Sequence, residues 1–518
     1  MSDRLMGVET EYAIGGMQGE EAADHPTIIR HLLDLAHTSL PNLQDGSSSG
    51  LFLQNGARLY LDCGMHMEFS TPEVSNPWDA VRYVEAGHDT MLSLIQRVAQ
   101  DRIPETQIGC YRVNVDYSGT GSTWGCHESY LHRMPPADLP RDLIPHLVTR
   151  QIYAGAGGFE PFSSGLKFTL SPRAAHIDRT TSFDSTNARG IFHSKNEPLC
   201  SGYNRLHVIC GESLCSHLAM FVKFGATSLV LAMAEAGLAP GSAVELDSPL
   251  SALRIVSGDL TLKRPLKMKG QIHRMTALDI QRRYLTMAED HSRDTFMPLW
   301  APDVCREWRR ILNALDSGLD AAAKMLDWPM KLLLFASHAA RREMDWSRLP
   351  LWNAIIERMH RAMELPRNGE IFPLERAISP GSPIPELARR IEAFLLRKGL
   401  DWDELRLILK LRAEFFEIDT RFGQLGPRGI FAMLDQDGIL EHHVSGVDNI
   451  EHATRNPPGR SRARIRGAVV SRLAGYEEGR WVCYWDRIFS QKYGRMLDLS
   501  DPFAMSEVWS NIPKEEAS

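Results

Sequence analysis

The sequence predicts an α+β fold, and three observations carry that reading. Short segments with strand character recur at 5–14, 55–62, 111–116, 126–130, 166–172, 204–211 and 254–264, several with the every-second-residue alternation of a strand that buries one face. Amphipathic stretches at 24–40, 77–99, 143–153 and 213–237 lie between them, and from about 276 onward helical periodicity takes over. Short strands interleaved with helices and joined by turns point to a sheet packed by helices rather than to doubly wound units.

Size and composition set the outer bounds. The 518 residues suffice for one large core and a smaller second unit. An apolar content of 43% and a charged content of 24% are those of an ordinary globular protein. A net charge of −7 offers no basic footprint for nucleic acid. The eight cysteines form no Cys-x-x-Cys pair, which argues against a zinc ribbon and a secreted disulfide framework. The N-terminus has no signal-peptide h-region, and no run is expected to approach a membrane span. The expectation is a cytoplasmic protein without nucleic-acid or membrane partners.

The stretch Asn55-Gly-Ala-Arg-Leu-Tyr-Leu-Asp-Cys-Gly-Met-His-Met-Glu-Phe-Ser-Thr71 carries the densest chemistry. After the Asn55-Gly56 turn, Arg58, Tyr60 and Asp62 fall on one strand face and Ala57, Leu59 and Leu61 on the other. Gly64 is expected to bend the chain, with His66 and Glu68 continuing the even-numbered series. Upstream, Glu9 and Glu11 flank Thr10 and so share a face. Neighbouring carboxylates on a strand repel by roughly a few tenths of a kcal/mol. A divalent cation reverses that sign, because magnesium prefers carboxylate oxygens. Two readings stand for this pattern: a solvated sheet face, or an open-sheet active site whose carboxylates hold metal and whose arginine holds an anion.

The rest of the chain adds candidates and exclusions. The Gly/Ser tract at 46–50 reads as a loop, and Val81, Val84, Met91, Leu92, Leu94 and Ile95 form the apolar stripe of a helix over 77–99. The glycines of Ser118–Gly125 make neither a Walker loop nor a dinucleotide fingerprint. His127-Glu128 reads either as a hydrogen-bonded strand end or as part of a site. His66-x-Glu68 mimics half of a zinc-deaminase signature, but the Pro-Cys-x-x-Cys half is missing. Arg205 and His207 share a strand face, against the alternative of a buried core histidine. Thr276 with Asp279 predicts a helix N-terminus. Helical periodicity over 306–345 is expected to break at Trp328-Pro329, a Pro/Gly-rich loop at 365–384 precedes a helical stretch over 385–418, and Phe422–Gly429 is a turn. Arg460, Arg462, Arg464 and Arg466 would align on a strand but spread around a helix, as a solvated face or a salt-bridged helix start. Trp485, in a strand-like 481–488, could face a base or fill the core.

Five of these segments occur in an order that points to one family: Gly7-Val-Glu-Thr-Glu-Tyr12, Asn55-Gly-Ala-Arg-Leu-Tyr-Leu-Asp62, Gly125-Cys-His-Glu-Ser-Tyr-Leu131, Arg205-Leu-His-Val-Ile209 and Ala277-Leu-Asp-Ile-Gln281. The sequence resembles the Pup ligase/depupylase family (proteasome accessory factor A and its depupylase paralogue) over about 4–345 and 410–508. The resemblance implies a glutamine-synthetase-like large domain, 1–435, whose curved antiparallel sheet cradles ATP and Mg2+, and a small C-terminal domain, 436–518. It implies Glu9, Tyr60 and Glu68 as magnesium ligands, Arg58, Thr71 and Trp485 as nucleotide contacts, and Asp62 as the catalytic aspartate. Glu11, His127, Arg205 and His207 are secondary candidates on the same segments. The implied reaction activates the C-terminal glutamate of Pup, or of a Pup-like modifier, with ATP and joins it to a lysine of a substrate protein.

Within the family the chain is nearer the ligase branch. The short interval from Ile14 to Asn55, Leu61-Asp62-x-Gly64, Thr71 and Gly125-Cys126-His127 resemble the ligases, whereas Leu326-Asp-Trp-Pro329 and Ser70-Thr-Pro-Glu73 resemble the depupylase. Met67 stands where both branches carry proline and is expected to loosen the turn before Glu68. Residues near 350–405 look like a helical, Pro-rich insertion. The alternatives are a depupylase or deamidase on the same scaffold, and a homologue that binds ATP or modifier without conjugation.

Overall fold

A computed structural model describes residues 4–46, 50–183, 188–195, 202–362, 385–475 and 480–511. The middle of the Gly/Ser tract at 46–50 and all of the Pro/Gly-rich loop at 365–384 lie outside them. One long sheet organises the fold. Its strands are β1 (Met6–Gln18), β2 (Asn42–Asp45), β3 (Gly50–Leu53), β4 (Arg58–Leu61), β5 (Met67–Ser70), β6 (Thr106–Tyr111), β7 (Cys126–His132), β8 (Arg179–Ser182), β9 (Gly190–Lys195), β10 (Asn204–Val208), β11 (Val482–Cys483), β12 (Arg487–Ser490), β13 (Arg495–Asp498) and β14 (Trp509–Asn511). Their order is β8-β9-β10-β7-β1-β5-β4-β3-β2-β11-β12-β13-β14, and β6 pairs with the C-terminal half of β1. All named pairs are antiparallel except β8 with β9 and β2 with β11. The expected antiparallel-rich α+β architecture is therefore present.

The principal helices are α1 (His25–Ser39), α2 (Pro77–Asp101), α3 (Leu139–Thr149), α4 (His217–Glu235), α5 (Ala277–Asp290), α6 (Ala301–Ser317), α7 (Asp327–Arg341), α8 (Trp402–Phe422) and α9 (Arg462–Leu473). Asn76 caps α2 by accepting from the Asp79 amide. Thr276 and Asp279 form a full capping box on α5. Helix α4 lies at the centre of the main core, and Leu218–Ala234 is buried without interruption. By length and composition α4 could cross a membrane, contrary to the expectation that no run approaches a span. Being apolar all round, it serves here as a core helix.

Several local expectations are corrected. Residues 112–116 leave the sheet, and the strand precedes them as β6, because its partner is the far half of β1. Pro249–Ser257 is helical and Leu262 turns with a positive φ, so 254–264 is not a strand. Only Phe168–Thr169 pairs within 166–172. Trp328-Pro329 opens α7 instead of breaking a helix, since proline in a first turn forfeits no intrahelical bond. The chain bends through Gly64 as expected, in a turn closed by the Met65 amide on the Asp62 carbonyl at 3.1 Å, with Met65 at φ 64° as its left-handed residue. Met67 does not loosen that turn: it is fully buried in β5, paired with Leu61 and Tyr12.

The segment expected as an insertion packs on the main core. Helices Leu349–Ala362 and Pro385–Arg397 contribute Trp352, Ile355, Ile356, Ile391 and Phe394 to it. Asn353 Oδ1 accepts from the Leu166 amide at 2.7 Å.

At the other end of the sheet a separate apolar cluster joins Leu43 and Phe52 to Ile465, Val469, Val470, Ile488 and Leu497. A buried ion cluster fixes it to the large unit. Arg462 and Arg466, one turn apart on α9, both meet Glu73, with Arg462 Nε 2.7 Å from Oε1 and Arg466 NH2 on Oε2. The arginine series is thus a salt-bridged helix start, with Arg464 exposed. Arg466 also donates to the Gly56 carbonyl, and Ser461 Oγ to the Glu73 carbonyl. Burial raises the Glu73 carboxyl, but the charges of Arg466 and Arg462 outweigh it and bring it down to about 2.

Replacing Glu73 with glutamine leaves two buried guanidinium groups without a counter-charge. Glu73→Gln should destabilise the protein by about 3–5 kcal/mol in denaturant titrations. Because the folded carboxyl titrates below its ordinary 4.5, its contribution is complete above that value and is lost as pH falls towards about 2. The gap between wild type and variant should narrow over that window, and a gap that stays constant would contradict the assignment.

Candidate active site

Strand register assembles the site. Glu9 lies opposite His127 on one side and Ser70 on the other, and Glu11 lies opposite Glu68. On the next strand Arg58 faces Ser70 and Tyr60 faces Glu68. Directly opposed residues share a sheet face. Two rows therefore cross the sheet side by side, His127–Glu9–Ser70–Arg58 and Glu11–Glu68–Tyr60. A third row, His207–Ser129–Gly7, lies next to them, with Arg205 two residues before His207. Val8, Tyr12, Leu59, Met67 and Phe69 occupy the reverse face, buried in the core.

The polar face is not a solvated one. Glu11 and Glu68 are only 7% and 4% exposed, so the two sequence readings separate in favour of a built site. Burial and then the carboxylates of Glu9 and Glu11 hold the Glu68 carboxyl well above its usual range. Its Oε1 is buried with no hydrogen-bond partner. For Glu9, burial acts upward, but His207, His127 and Arg205 outweigh it and leave the group ionised. The Glu9 Oε2 atom is 3.8 Å from both His127 Nδ1 and His207 Nε2. Burial pushes the His207 ring well below its ordinary value, and the Glu9 carboxylate pulls it the other way. Glu11 accepts from the Gly125 amide at 2.8 Å. Burial raises its carboxyl, but the His66 bond, the charges of His127 and Arg173 and that amide together bring it below its ordinary value. Burial and the Glu68 carboxyl push the Tyr60 phenol well above its ordinary value, so it keeps its proton.

Asp62 sits at the tip of the β4–β5 hairpin, next to the Glu11–Glu68 row. Its Oδ1 accepts from the His66 amide at 2.6 Å, and its own amide donates to the His66 carbonyl at 3.0 Å. His66 Nδ1 is 3.5 Å from both Asp62 Oδ2 and Glu11 Oε2. Burial lowers the His66 ring, but bonds to Asp62 and Glu11 outweigh it and raise it to about 9. The ring is an imidazolium at neutral pH, and it favours the ionised form of its neighbours. Sequence spacing places His66 on the even-numbered series without a partner. The four-residue reversal from Asp62 is the signal that pairs them.

Beyond the Glu9 row the sheet opens into a cleft lined by Gly7, Thr71, Ser129, Arg205 and Trp485, among others. Thr71 Oγ1 accepts from the Val8 amide at 3.0 Å. Trp485, half-buried, stands edge-on to Phe52 and beneath the Arg466 guanidinium, 4.6 Å from its ring centre. Arg58 is turned towards the sheet's other end. Its Nε donates to Asp45 Oδ2 at 2.9 Å, and its guanidinium lies 4.0 Å over the Tyr60 ring. Glu9, Glu11, Tyr60, Asp62, Glu68 and His127 are thus brought together, Thr71, Arg205 and Trp485 line the adjoining cleft with His207 at its border, and Arg58 borders the site from the far side.

The chain is similar to known Pup ligases. The Pup-ligase protein family matches residues 4–356 and 389–489, and so skips much of the stretch read as an insertion. The Pup--protein ligase of Mycolicibacterium smegmatis is 35% identical over 515 residues, covering 97% of both chains. That of Sanguibacter keddieii is 34% identical over 516 residues and covers 96% of each. Among solved structures, the complex between the prokaryotic ubiquitin-like protein Pup and its ligase PafA superposes with a TM-score of 0.72 at 25% identity, over 97% of this chain and 90% of that one. The ligase PafA in complex with ADP gives 0.64 at 25% identity, over 94% and 93%. With its buried carboxylate rows and these matches over nearly its whole length, the chain belongs to the Pup-ligase family.

Proposed function

We propose that this protein is an ATP-dependent Pup ligase. The observation that carries the proposal is the convergence of Glu9, Glu11 and Glu68 on one buried sheet face, in a chain 34–35% identical to Pup--protein ligases along its length. The nucleotide part is supported by the ADP complex of a structural relative. The cleft beside Thr71 takes the nucleotide, with Trp485 as the flat wall for its base. The alternative depupylase reading has less support, because the short Ile14–Asn55 interval and the named relatives are of the ligase kind.

Magnesium fits the donor set at the centre of the face. Oxygen ligands suit it, and Glu68 Oε1 is a buried acceptor without a partner. Glu9 and Glu68 would hold the ion. Tyr60, which keeps its proton, fills the same cluster through its hydroxyl. When bound, the ion would neutralise phosphate charge.

The protein's own groups then divide two steps. In the first, the γ-phosphoryl group of ATP passes to the γ-carboxylate of Pup's terminal glutamate, giving an acyl phosphate and ADP. Here the cleft and Arg205 position the triphosphate, since phosphoryl transfer rests on positioning and charge stabilisation. In the second, a substrate lysine attacks the acyl carbon and phosphate leaves. A lysine amine is protonated at pH 7 and must first lose a proton. Asp62 accepts it, with its Oδ1 fixed by the His66 amide and its Oδ2 3.5 Å from His66 Nδ1.

Three outcomes are expected. Asp62→Asn keeps the acceptor for the His66 amide, so it should retain ATP affinity within a few-fold while losing about 10²- to 10⁴-fold in adduct formation; undiminished conjugation on a gel would contradict the base assignment. Glu68→Gln should melt at or above the wild-type temperature without magnesium, since it replaces a crowded carboxyl by a neutral isostere, and should lose the magnesium-induced shift; an intact shift would remove Glu68 from the metal. Trp485→Ala should weaken ADP binding by about 1–3 kcal/mol in calorimetry, the scale of base–aromatic stacking, and unchanged affinity would place the base elsewhere. Release of Pup from a conjugate in place of adduct formation would favour the depupylase, and ATP binding without either would favour the binder.

A further inference from the structure

The tip of the β4–β5 hairpin leaves open space beside Asp62. Cys63, Gly64 and Met65 are exposed there. Gly64 does not take a left-handed φ, so its backbone conformation is one that any residue adopts. What the glycine supplies is room. A Cβ at this position would lie 3.2 Å from Asp62 Oδ2 and 3.2 Å from both Nδ1 and Cε1 of His66. That is closer than the roughly 3.5–4.0 Å of favourable non-bonded contact. The absent side chain therefore leaves a gap at the surface, directly against the carboxylate oxygen that does not hold the His66 amide.

An aromatic wall stands beside the same pair. The Trp124 ring, from the loop between β6 and β7, is 5.3 Å from the His66 ring, centre to centre, with the planes tilted by 44°. The backbone is pinned on both sides of it. The Trp124 amide donates to the Asn114 carbonyl at 3.2 Å, and Thr123 Oγ1 donates to that carbonyl and accepts from Arg173 NH1, each at 2.8 Å. Gly125 donates to Glu11 Oε2 at 2.8 Å and accepts from the Glu11 amide at 3.0 Å. Thr123 and Gly125 are buried, yet the indole between them is only half-buried. A large ring held on a fixed backbone and left partly open is a pre-organised contact surface. Neither Gly64 nor Trp124 takes part in the two steps above.

We propose that the Gly64 gap and the Trp124 ring form the subsite for the acceptor lysine, an inference that rests on the ligase reading. A lysine side chain is a four-carbon apolar stem carrying a compact ammonium. An indole face packs the stem and attracts the cationic head before its proton is lost. The gap at Gly64 admits that head to Asp62 Oδ2, which a larger side chain there would cover. The subsite selects a primary amine on a long, unbranched stem. It lies at the Glu11 end of the polar face, whereas the nucleotide cleft adjoins the Gly7 end, so the two substrates enter separately.

The test uses the full chain with Pup, ATP and magnesium, and two nucleophiles. Hydroxylamine is too small to need the indole and traps the acyl phosphate as a hydroxamate, with phosphate released. A capped tripeptide with lysine at its centre needs the whole subsite. Wild type should form both products. Trp124→Ala should keep hydroxamate formation near the wild-type rate, while KM for the peptide rises about tenfold with kcat little changed, the scale of a lost cation–π contact. Trp124→Phe, which keeps an aromatic face, should recover most of that loss. Gly64→Ala, at an exposed turn, should raise the peptide KM in the same way and spare the hydroxamate. A peptide KM unchanged in either alanine variant would overturn the proposal. So would an equal loss with both nucleophiles, the mark of a damaged hairpin tip. Hydroxamate without peptide adduct in wild type would overturn it as well, whereas neither product in wild type would refute the ligase reading itself.

Discussion

Crowding of like charge on one buried sheet face is the constraint that shapes this protein. Glu9, Glu11 and Glu68 lie side by side because β1 pairs with β5 in one register. A slip of a single residue would turn all three into the core and bring Tyr12 and Phe69 out. The reverse face prevents that slip, since Val8, Tyr12, Leu59, Met67 and Phe69 are all 0–1% exposed. The apolar half of each strand thus holds the acidic half in an arrangement that is unfavourable on its own. The surrounding groups, His66, His127, the Gly125 amide and the Arg173 charge, each lower part of that repulsion. None of them satisfies Glu68 Oε1.

The second constraint is where the C-terminal unit docks. Glu73 follows β5 by three residues and meets Arg462 and Arg466 one helical turn apart. A buried carboxylate with two guanidinium partners is costly to break and specific in its geometry. Arg466 also donates to the carbonyls of Gly56 and Trp485. One side chain therefore connects the turn before β4, the residue after β5 and the tryptophan at the cleft. The docking contact and the Trp485 wall of the cleft are the same piece of structure, so the cleft depends on the C-terminal cluster being in place.

Legibility from sequence followed the range of the interactions. Period-two alternation in 5–14 and 55–62 identified Glu9, Glu11, Arg58 and Tyr60 as residues sharing faces, and capping chemistry located α5 to the residue. Pairing between distant strands was out of reach: no local signal puts His127 opposite Glu9 or His207 opposite Ser129. The resemblance to a family, carried by five motifs, supplied the association that alternation could not. Misreadings arose where two periods fit. Residues 254–264 are apolar enough for a strand but belong to a helix and a turn. The helical 217–235 was legible, yet its apolar length concealed that it could match a membrane span. Asp45 as the partner of Arg58, and Glu73 as that of Arg462 and Arg466, needed the three-dimensional fold.

Order along the polar face gives the reaction its direction. From Gly7 to Glu11 the strand advances about 13 Å at roughly 3.3 Å per residue. The cleft with Trp485 and Thr71 stands at the Gly7 end, the Glu9 and Glu68 carboxylates in the middle, and the Asp62–His66 tip at the Glu11 end. A base positioned at the tryptophan would carry its terminal phosphate towards the tip. Asp62, the proposed base for the nucleophile, lies at that tip. Asp62 is suited to that place because the hairpin, rather than the sheet ladder, fixes it: its Oδ1 holds the His66 amide and leaves the other oxygen free of backbone partners. The proline-to-methionine departure at 67 leaves this arrangement intact, because the Met67 side chain is buried on the reverse face and its strand pairing with Leu61 keeps the hairpin closed.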